Sequence, residues 1–231
     1  MQVDQVLDMD AIDMINSLPD GSIDLVIADP PFLSQKGSKD RYNRGFSGDK
    51  DKYLEWCDIW MEGCSRKLKE TGSMYTFGGI GIWYFYVILE KYMIYRNHIA
   101  WIKRNSMIAV PQLRNWFSKD ELILYFTKTN KYIWNPIYKE YGIMGATTWQ
   151  DIPVITKRMK ESVCHPSQKP LTLLEKFVKA STNAGDLVLD PFCGSGSSLV
   201  AAKKLGRNYL GCDIVPEYTE IARRRLGGLP L

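Results

Sequence analysis

Two runs of this chain are built alike. Leu25-Val26-Ile27-Ala28-Asp29-Pro30-Pro31-Phe32 and Leu187-Val188-Leu189-Asp190-Pro191-Phe192-Cys193-Gly194-Ser195-Gly196 each read as an apolar run, then Asp-Pro, then a phenylalanine close behind. In the first, the prolines fix φ and remove backbone donors, which leaves carbonyl acceptors beside the Asp29 carboxylate. Such a cluster of acceptors suits a flat NH2 group, and Phe32 suits stacking on a flat ring. An ordinary proline-rich turn would explain the prolines but not the paired arrangement. In the second run, Gly194 and Gly196 allow a tight turn and a close approach of backbone to a ligand. Asp213 follows at the end of the next apolar run, where an acid can accept hydrogen bonds from ribose hydroxyls. Gly-x-Gly alone also describes a plain tight turn; with Asp213 in register it points to a nucleoside-type ligand.

These residues need a scaffold that brings two strand ends together. Short apolar runs alternate with helical stretches along the chain, which predicts an α/β fold with a mostly parallel sheet. Strands are expected at Ile23 to Ala28, Met74 to Phe77, His98 to Ile102, Leu122 to Thr127, Leu187 to Leu189 and Asn208 to Cys212. Tyr53, Cys57, Trp60, Cys64 and Leu68 form a helical stripe. Further helices are expected at Ile82 to Tyr92, Pro170 to Thr182, Ser195 to Leu205 and Pro216 to Leu226. In doubly wound sheets, ligands bind beyond the carboxyl ends of strands where the winding reverses. Two such ends side by side would make one site with two halves. Two stretches break the rhythm: residues 33–52, polar and rich in Gly, Ser and Lys, and residues 130–161. Loops of that length inside a compact domain are commonly functional. The first is expected to be a mobile loop.

Composition bounds the rest. A chain of 231 residues with 45% hydrophobic content suits one domain spanning 1–231. The longest apolar run, Ile80 to Leu89, is broken by Gly81 and too short to span a membrane. No signal-peptide pattern opens the chain. Five scattered cysteines fit reduced thiols in a cytoplasmic protein, and with only His98 and His165 no metal site is expected. The net charge of +4 is mild. Basic residues gather, however, at Lys36, Lys39, Arg41, Arg44, Lys50 and Lys52, and again from Arg96 to Lys131 with Trp101, Trp116 and Phe117 among them. Such stretches can track a phosphate backbone, although a solvated basic surface reads the same way.

The motifs together resemble a known family. Asp29-Pro30-Pro31-Phe32 resembles the catalytic motif of DNA amino-methyltransferases, and Asp190-Pro191-Phe192-Cys193-Gly194-Ser195-Gly196 resembles their S-adenosylmethionine-binding motif. The catalytic motif comes first, as in the circularly permuted beta class. Asp10-Ala11 before Leu18-Pro19-Asp20 resembles the segment that holds the cofactor's adenosine. Glu121 to Lys128 resembles a strand of the base-pocket half. His165-Pro166-Ser167-Gln168-Lys169-Pro170 resembles the segment lining the methionine end.

The resemblance implies a Rossmann-like, doubly wound, mostly parallel sheet with helices on both faces. It implies that Asp29 and the Pro30 carbonyl hold the target amino group, with Pro31 stiffening the hook and Phe32 stacking on a flipped base. Phe192, Gly194 and Gly196 would pack around S-adenosylmethionine beside Asp190, Asp213 would bind its ribose, and Asp10 and Ala11 would lie by the adenosine. Lys169 is placed near the methionine carboxylate, though a solvated helix-start lysine looks the same. Double-stranded DNA is the implied partner; a homodimer and a cognate restriction nuclease are further partners the family admits. Residues 130–161 would be a short inserted target-recognition region and 33–52 a DNA-contacting loop. An Asp at the head of the hook leans to N6 of adenine, with N4 of cytosine as the alternative. An RNA or protein amino-methyltransferase, or an idle DNA-binding protein on the same fold, stay open as well.

Overall fold

The apolar runs become the central strands of one sheet. In this computed structural model, residues 2–33, 49–105, 119–136, 147–163, 165 and 167–228 are described. The strands are β1 (Gln5–Asp8), β2 (Ile23–Ala28), β3 (Leu68–Phe77), β4 (Ile94–Ile102), β5 (Asp120–Thr127), β6 (Thr148–Trp149), β7 (Leu187–Asp190) and β8 (Asn208–Asp213). The helices are α1 (Ala11–Ser17), α2 (Lys50–Lys67), α3 (Ile82–Leu89), α4 (Leu171–Ser181), α5 (Ser197–Lys204) and α6 (Pro216–Gly227). The strand order is β1-β8-β7-β2-β3-β5-β4-β6. All pairings are parallel except those of β5 with β3 and with β4.

Strand periodicity divides the core into two layers. Val26, Ala28, Met74, Leu124 and Phe126 face α1, α2 and α3, whose Met14, Ile15, Trp60, Cys64 and Phe85 complete that layer. Leu25, Ile27, Tyr75, Ile123 and Tyr125 face the opposite way, onto Leu173, Phe177, Ala201 and Ala222 of α4, α5 and α6. Every residue of β2 is buried, so its apolar side chains contribute about 1.5–3 kcal/mol each. A strand covered on both faces needs a continuous apolar run, which explains why β2 stands out in the sequence. Among the described residues no helix is long and apolar enough to cross a membrane.

From β2 the chain winds through α2 to β3, and from β7 through α5 to β8, in opposite directions along the sheet. The winding therefore reverses between β7 and β2, which pair directly through Leu25 with Val188 and Val26 with Leu189. By that register Asp190 stands level with Ile27, and Asp29 follows two residues further on, at the same carboxyl edge.

The structure departs from the sequence reading in places. β1 and α1 form where only a short motif is visible in the sequence; β1 is four residues long and borders the sheet, and α1 has seven. β3 begins at Leu68 rather than Met74. In its polar start, Lys69 to Gly72, Lys69 is fixed by an ion pair to buried Asp24 at 2.8 Å. α5 begins at Ser197 because Gly196, at φ 75°, is its left-handed cap.

Candidate active site

Four neighbouring parallel strands each end at an aspartate: Asp8 of β1, Asp213 of β8, Asp190 of β7, and Asp29 directly after β2. Their surroundings give them different work. Asp8 accepts from Thr219 and from Arg223, the latter at 2.7 Å, and these bonds hold its carboxyl below the usual range. It ties α6 to β1.

Asp213 accepts from the Gly194 amide at 3.1 Å and the Val215 amide at 2.9 Å. It thereby pins the glycine turn to the end of β8, and a carboxylate retains further lone pairs for a ligand. Asp190 accepts from the Phe192 amide at 3.0 Å and from the Ser198 hydroxyl. Burial pushes its carboxyl up to about 7 despite these bonds. Asp10 caps α1 by accepting from the Ile12 amide at 2.8 Å, which leaves Ala11 buried beneath it.

The glycine turn has left-handed φ at Gly194 (49°) and Gly196 (75°). The sequence reading gives both glycines a tight turn and a close approach of backbone to a ligand. The structure adds a packing reason for each. A Cβ on Gly194 would come 2.9 Å from the His165 ring, and one on Gly196 would come 2.7 Å from the Ala222 Cβ of α6. The turn is close-packed by the protein itself, while Gly194, Ser195 and Asp213 still line the cavity.

Asp29 forms an ion pair with Lys169 at 2.8 Å. Lys169 also reaches Glu121 of β5 at 3.1 Å, and Glu121 meets Lys103 at 2.6 Å. Burial raises Asp29 above the ordinary carboxylate value; Lys169 pulls it back and Glu121 pushes it up again. The Pro31 carbonyl accepts from the Tyr53 hydroxyl of α2 at 3.1 Å, anchoring the stiff hook. Phe32 is 41% exposed, with its ring laid against the backbone of Gly79.

Three cavities meet here. One of 240 Å³ lies between Asp10, Ala11, Trp56, Phe192 and Ile214. One of 210 Å³ runs over Asp190, Phe192, Gly194 and Asp213 to Asp29 and Lys169. One of 700 Å³ opens on the far side of Phe32, bounded by Trp83, Trp101, Glu121 and Lys169. The first two share Pro31 and Phe192, and the last two share Phe32 and Lys169. The 240 Å³ slot has apolar walls and the Asp10 carboxylate at its edge, which suits a flat heterocycle bearing an amino group.

All twelve expected site residues lie at or beside this carboxyl edge. Gly196 alone turns its Cα toward α6 rather than lining one of the three cavities. Sequence reasoning missed Trp56, Ile214 and Lys103, and gave Glu121 no role beyond opening a strand of the base-pocket half. Trp56 is the most findable, because it lies one helical turn from Tyr53 and Trp60; its ring centroid is 5.6 Å from that of Phe192.

The basic stretches are partly spent inside the fold. Arg96 donates to Thr127 and Thr129 and stands over the Tyr132 ring, and Lys128 donates to Ser65. Lys36, Lys39, Arg41, Arg44 and Arg114 lie outside the described residues. Of region 130–161, described parts are tied to the rest of the fold: the Asn135 amide bonds the Ala180 carbonyl of α4, β6 pairs with β4, and Asn105 brackets Val154.

A winding reversal bearing a glycine turn, an acid on the next strand and a stiffened Asp-Pro-Pro hook across from it defines a nucleoside-cofactor-dependent group-transfer enzyme. Comparison with known proteins narrows the class. The chain belongs to the DNA methylase family, whose N6_N4_Mtase model matches residues 23–224. It is 36% identical to the Type II methyltransferase M.HpaI of Haemophilus parainfluenzae, over 94% of this chain and 72% of that protein. It is 29% identical to the DNA adenine methyltransferase YhdJ of Escherichia coli, over 94% of this chain and 80% of that one. Among solved structures it is similar to the M1.HpyAVI–SAM complex, with a TM-score of 0.72 and 28% identity over 96% of this chain and 98% of that chain.

Proposed function

We propose that this chain transfers a methyl group from S-adenosylmethionine to the N6 amino group of adenine at a specific sequence in double-stranded DNA. The observation that carries the reading is the position of Asp29: it lines the 210 Å³ cavity over the glycine turn and pairs with Lys169, which with Phe32 borders both that cavity and the 700 Å³ one. Adenine is favoured by the name of the Escherichia coli relative, by the Asp at the head of the hook, and by room beside Phe32 for a purine.

The residues present fit the cofactor. Asp10, Trp56, Phe192 and Ile214 would hold its adenine, Asp213 its ribose, and the turn at Gly194 its methionine end. When bound, the cofactor supplies an electrophilic methyl group on sulfur. A base inside a duplex is out of reach, so it leaves the stack at a cost of a few kcal/mol. Phe32 stacks on the extruded ring. Asp29 and the Pro30 carbonyl accept from the two amino hydrogens and favour a pyramidal nitrogen with its lone pair directed away from the hook. Asp29 would stabilise the positive charge that grows on nitrogen as the N–C bond forms and the methyl's bond to sulfur breaks with its electron pair left on sulfur, and would then take the departing proton. Positioning and electrostatic stabilisation supply most of the rate. The intact hook and glycine turn favour an active enzyme over an idle DNA-binding protein.

Asp29→Ala tests the assignment. Loss of one such stabilising group costs about 10²–10³ in rate, and for this primary acceptor methyl transfer to DNA is expected to fall at least that far. Calorimetry should find S-adenosylmethionine affinity within a few-fold of wild type. Near-normal turnover in the variant would remove Asp29 from the mechanism.

A further inference from the structure

We propose that Glu121 is a positioning residue for the hook: it draws Lys169 partly off Asp29 and so sets how strongly Asp29 accepts the target amino group. The inference rests on the role given to Asp29 above. Four charges alternate in a row, Asp29, Lys169, Glu121 and Lys103, brought together from the end of β2, the segment before α4, β5 and the segment after β4. Lys169 has 12% of its side chain exposed and Glu121 6%, so neither charge is carried by solvent. The same Lys169 ammonium stands 4.7 Å from the centre of the Phe77 ring.

A buried lysine given wholly to Asp29 would quench it. The ion pair would occupy the carboxylate, and a fixed positive charge would oppose the positive charge that grows on the substrate nitrogen. Glu121 divides that lysine between two carboxylates. Its own ionisation is resisted by burial, but Lys169 and Lys103 together hold its carboxyl below the ordinary value. It therefore stays charged and keeps its claim on Lys169. Lys103 keeps Glu121 from claiming all of it. Lys169, Glu121 and Lys103 all border the 700 Å³ cavity, so the row runs from the hook along the wall of the expected base site. Among the described residues Asp190, on the neighbouring strand β7, also interacts with Asp29.

The sign of each effect follows. Transfer needs Asp29 ionised, so the rate rises with pH through its titration. Lys169→Met removes the cation that favours ionisation and should move the acid limb of the kcat profile up. Glu121→Gln removes a like charge and tightens the remaining ion pair, and should move the limb down. Each shift is expected to be about one pH unit, the low end for a charge neighbour at this range. Both variants should lose several-fold in kcat, with KM for S-adenosylmethionine nearly unchanged in Glu121→Gln. A residue that merely supports the fold would lower the rate without moving the two limbs in opposite directions.

The experiment is single-turnover transfer of labelled methyl groups to unmodified bacterial genomic DNA across the pH range, for wild type and each variant. If Glu121→Gln alone misfolds, Glu121→Gln with Lys103→Gln removes the outer pair together, and its limb should still move down, by less. Limbs that stay in place, or move the same way, overturn the role of Glu121 while leaving wild-type transfer intact. Absence of transfer by the wild type would sink the methyl-transfer reading as well.

Discussion

Phe32 shows how local chemistry and distant packing share one residue. Its ring leans on Gly79, a glycine at φ 49°; a Cβ placed there would lie 3.2 Å from the ring. Phe32→Ala should leave S-adenosylmethionine affinity unchanged and weaken transfer to DNA. Base stacking on an aromatic is worth about 1–3 kcal/mol, so kcat/KM for DNA should fall roughly five- to a hundred-fold, read from initial rates. An unchanged kcat/KM would mean the ring does not meet the base. Asp29 and Phe32 were legible in the sequence because a strand end followed by prolines fixes its own geometry. Lys103 was visible only as a charge in a basic stretch, and Glu121 only as the first residue of a strand. Nothing in their spacing says that β4 and β5 carry them to Lys169, which lies some fifty residues further along the chain. Lys169 was expected near the methionine end. It does line the cavity over the glycine turn, but its ion pair is with Asp29.

At the scale of elements, the strand–turn–helix from β7 to α5 does most of the positioning. Its glycines were legible, but the reason for Gly196 was not, because that reason sits on α6. A Cβ there would lie 2.7 Å from the Ala222 Cβ with the backbone at φ 75°. Gly196→Val therefore strains the backbone and overpacks the α5–α6 contact, at about 1–3 kcal/mol for the overpacking. The expected result is a lower Tm without ligand, together with lost affinity for S-adenosylmethionine because the turn moves. Wild-type Tm with weakened binding would instead favour the ligand-space reading. β1, α1 and the polar start of β3 escaped the sequence reading for a common cause. Each is short or polar, and each is held by partners far away in the chain: β1 by β8, and Lys69 by Asp24.

Across the whole molecule, the parallel α/β plan was legible because buried strands and amphipathic helices alternate. The antiparallel β5 was not, since a strand's period is the same in either direction. The two halves of the site meet only because the winding reverses between β7 and β2. That brings the glycine turn and Asp29 to one cavity, with the larger cavity beside Phe32 next to it, as the proposed transfer requires. The most direct test is mass spectrometry of nucleosides from unmodified double-stranded DNA treated with the purified protein and S-adenosylmethionine. The prediction is N6-methyladenine, absent from DNA treated with Asp29→Ala and without N4-methylcytosine. N4-methylcytosine alone would contradict the choice of base, and no methylated nucleoside at all would contradict the transfer itself.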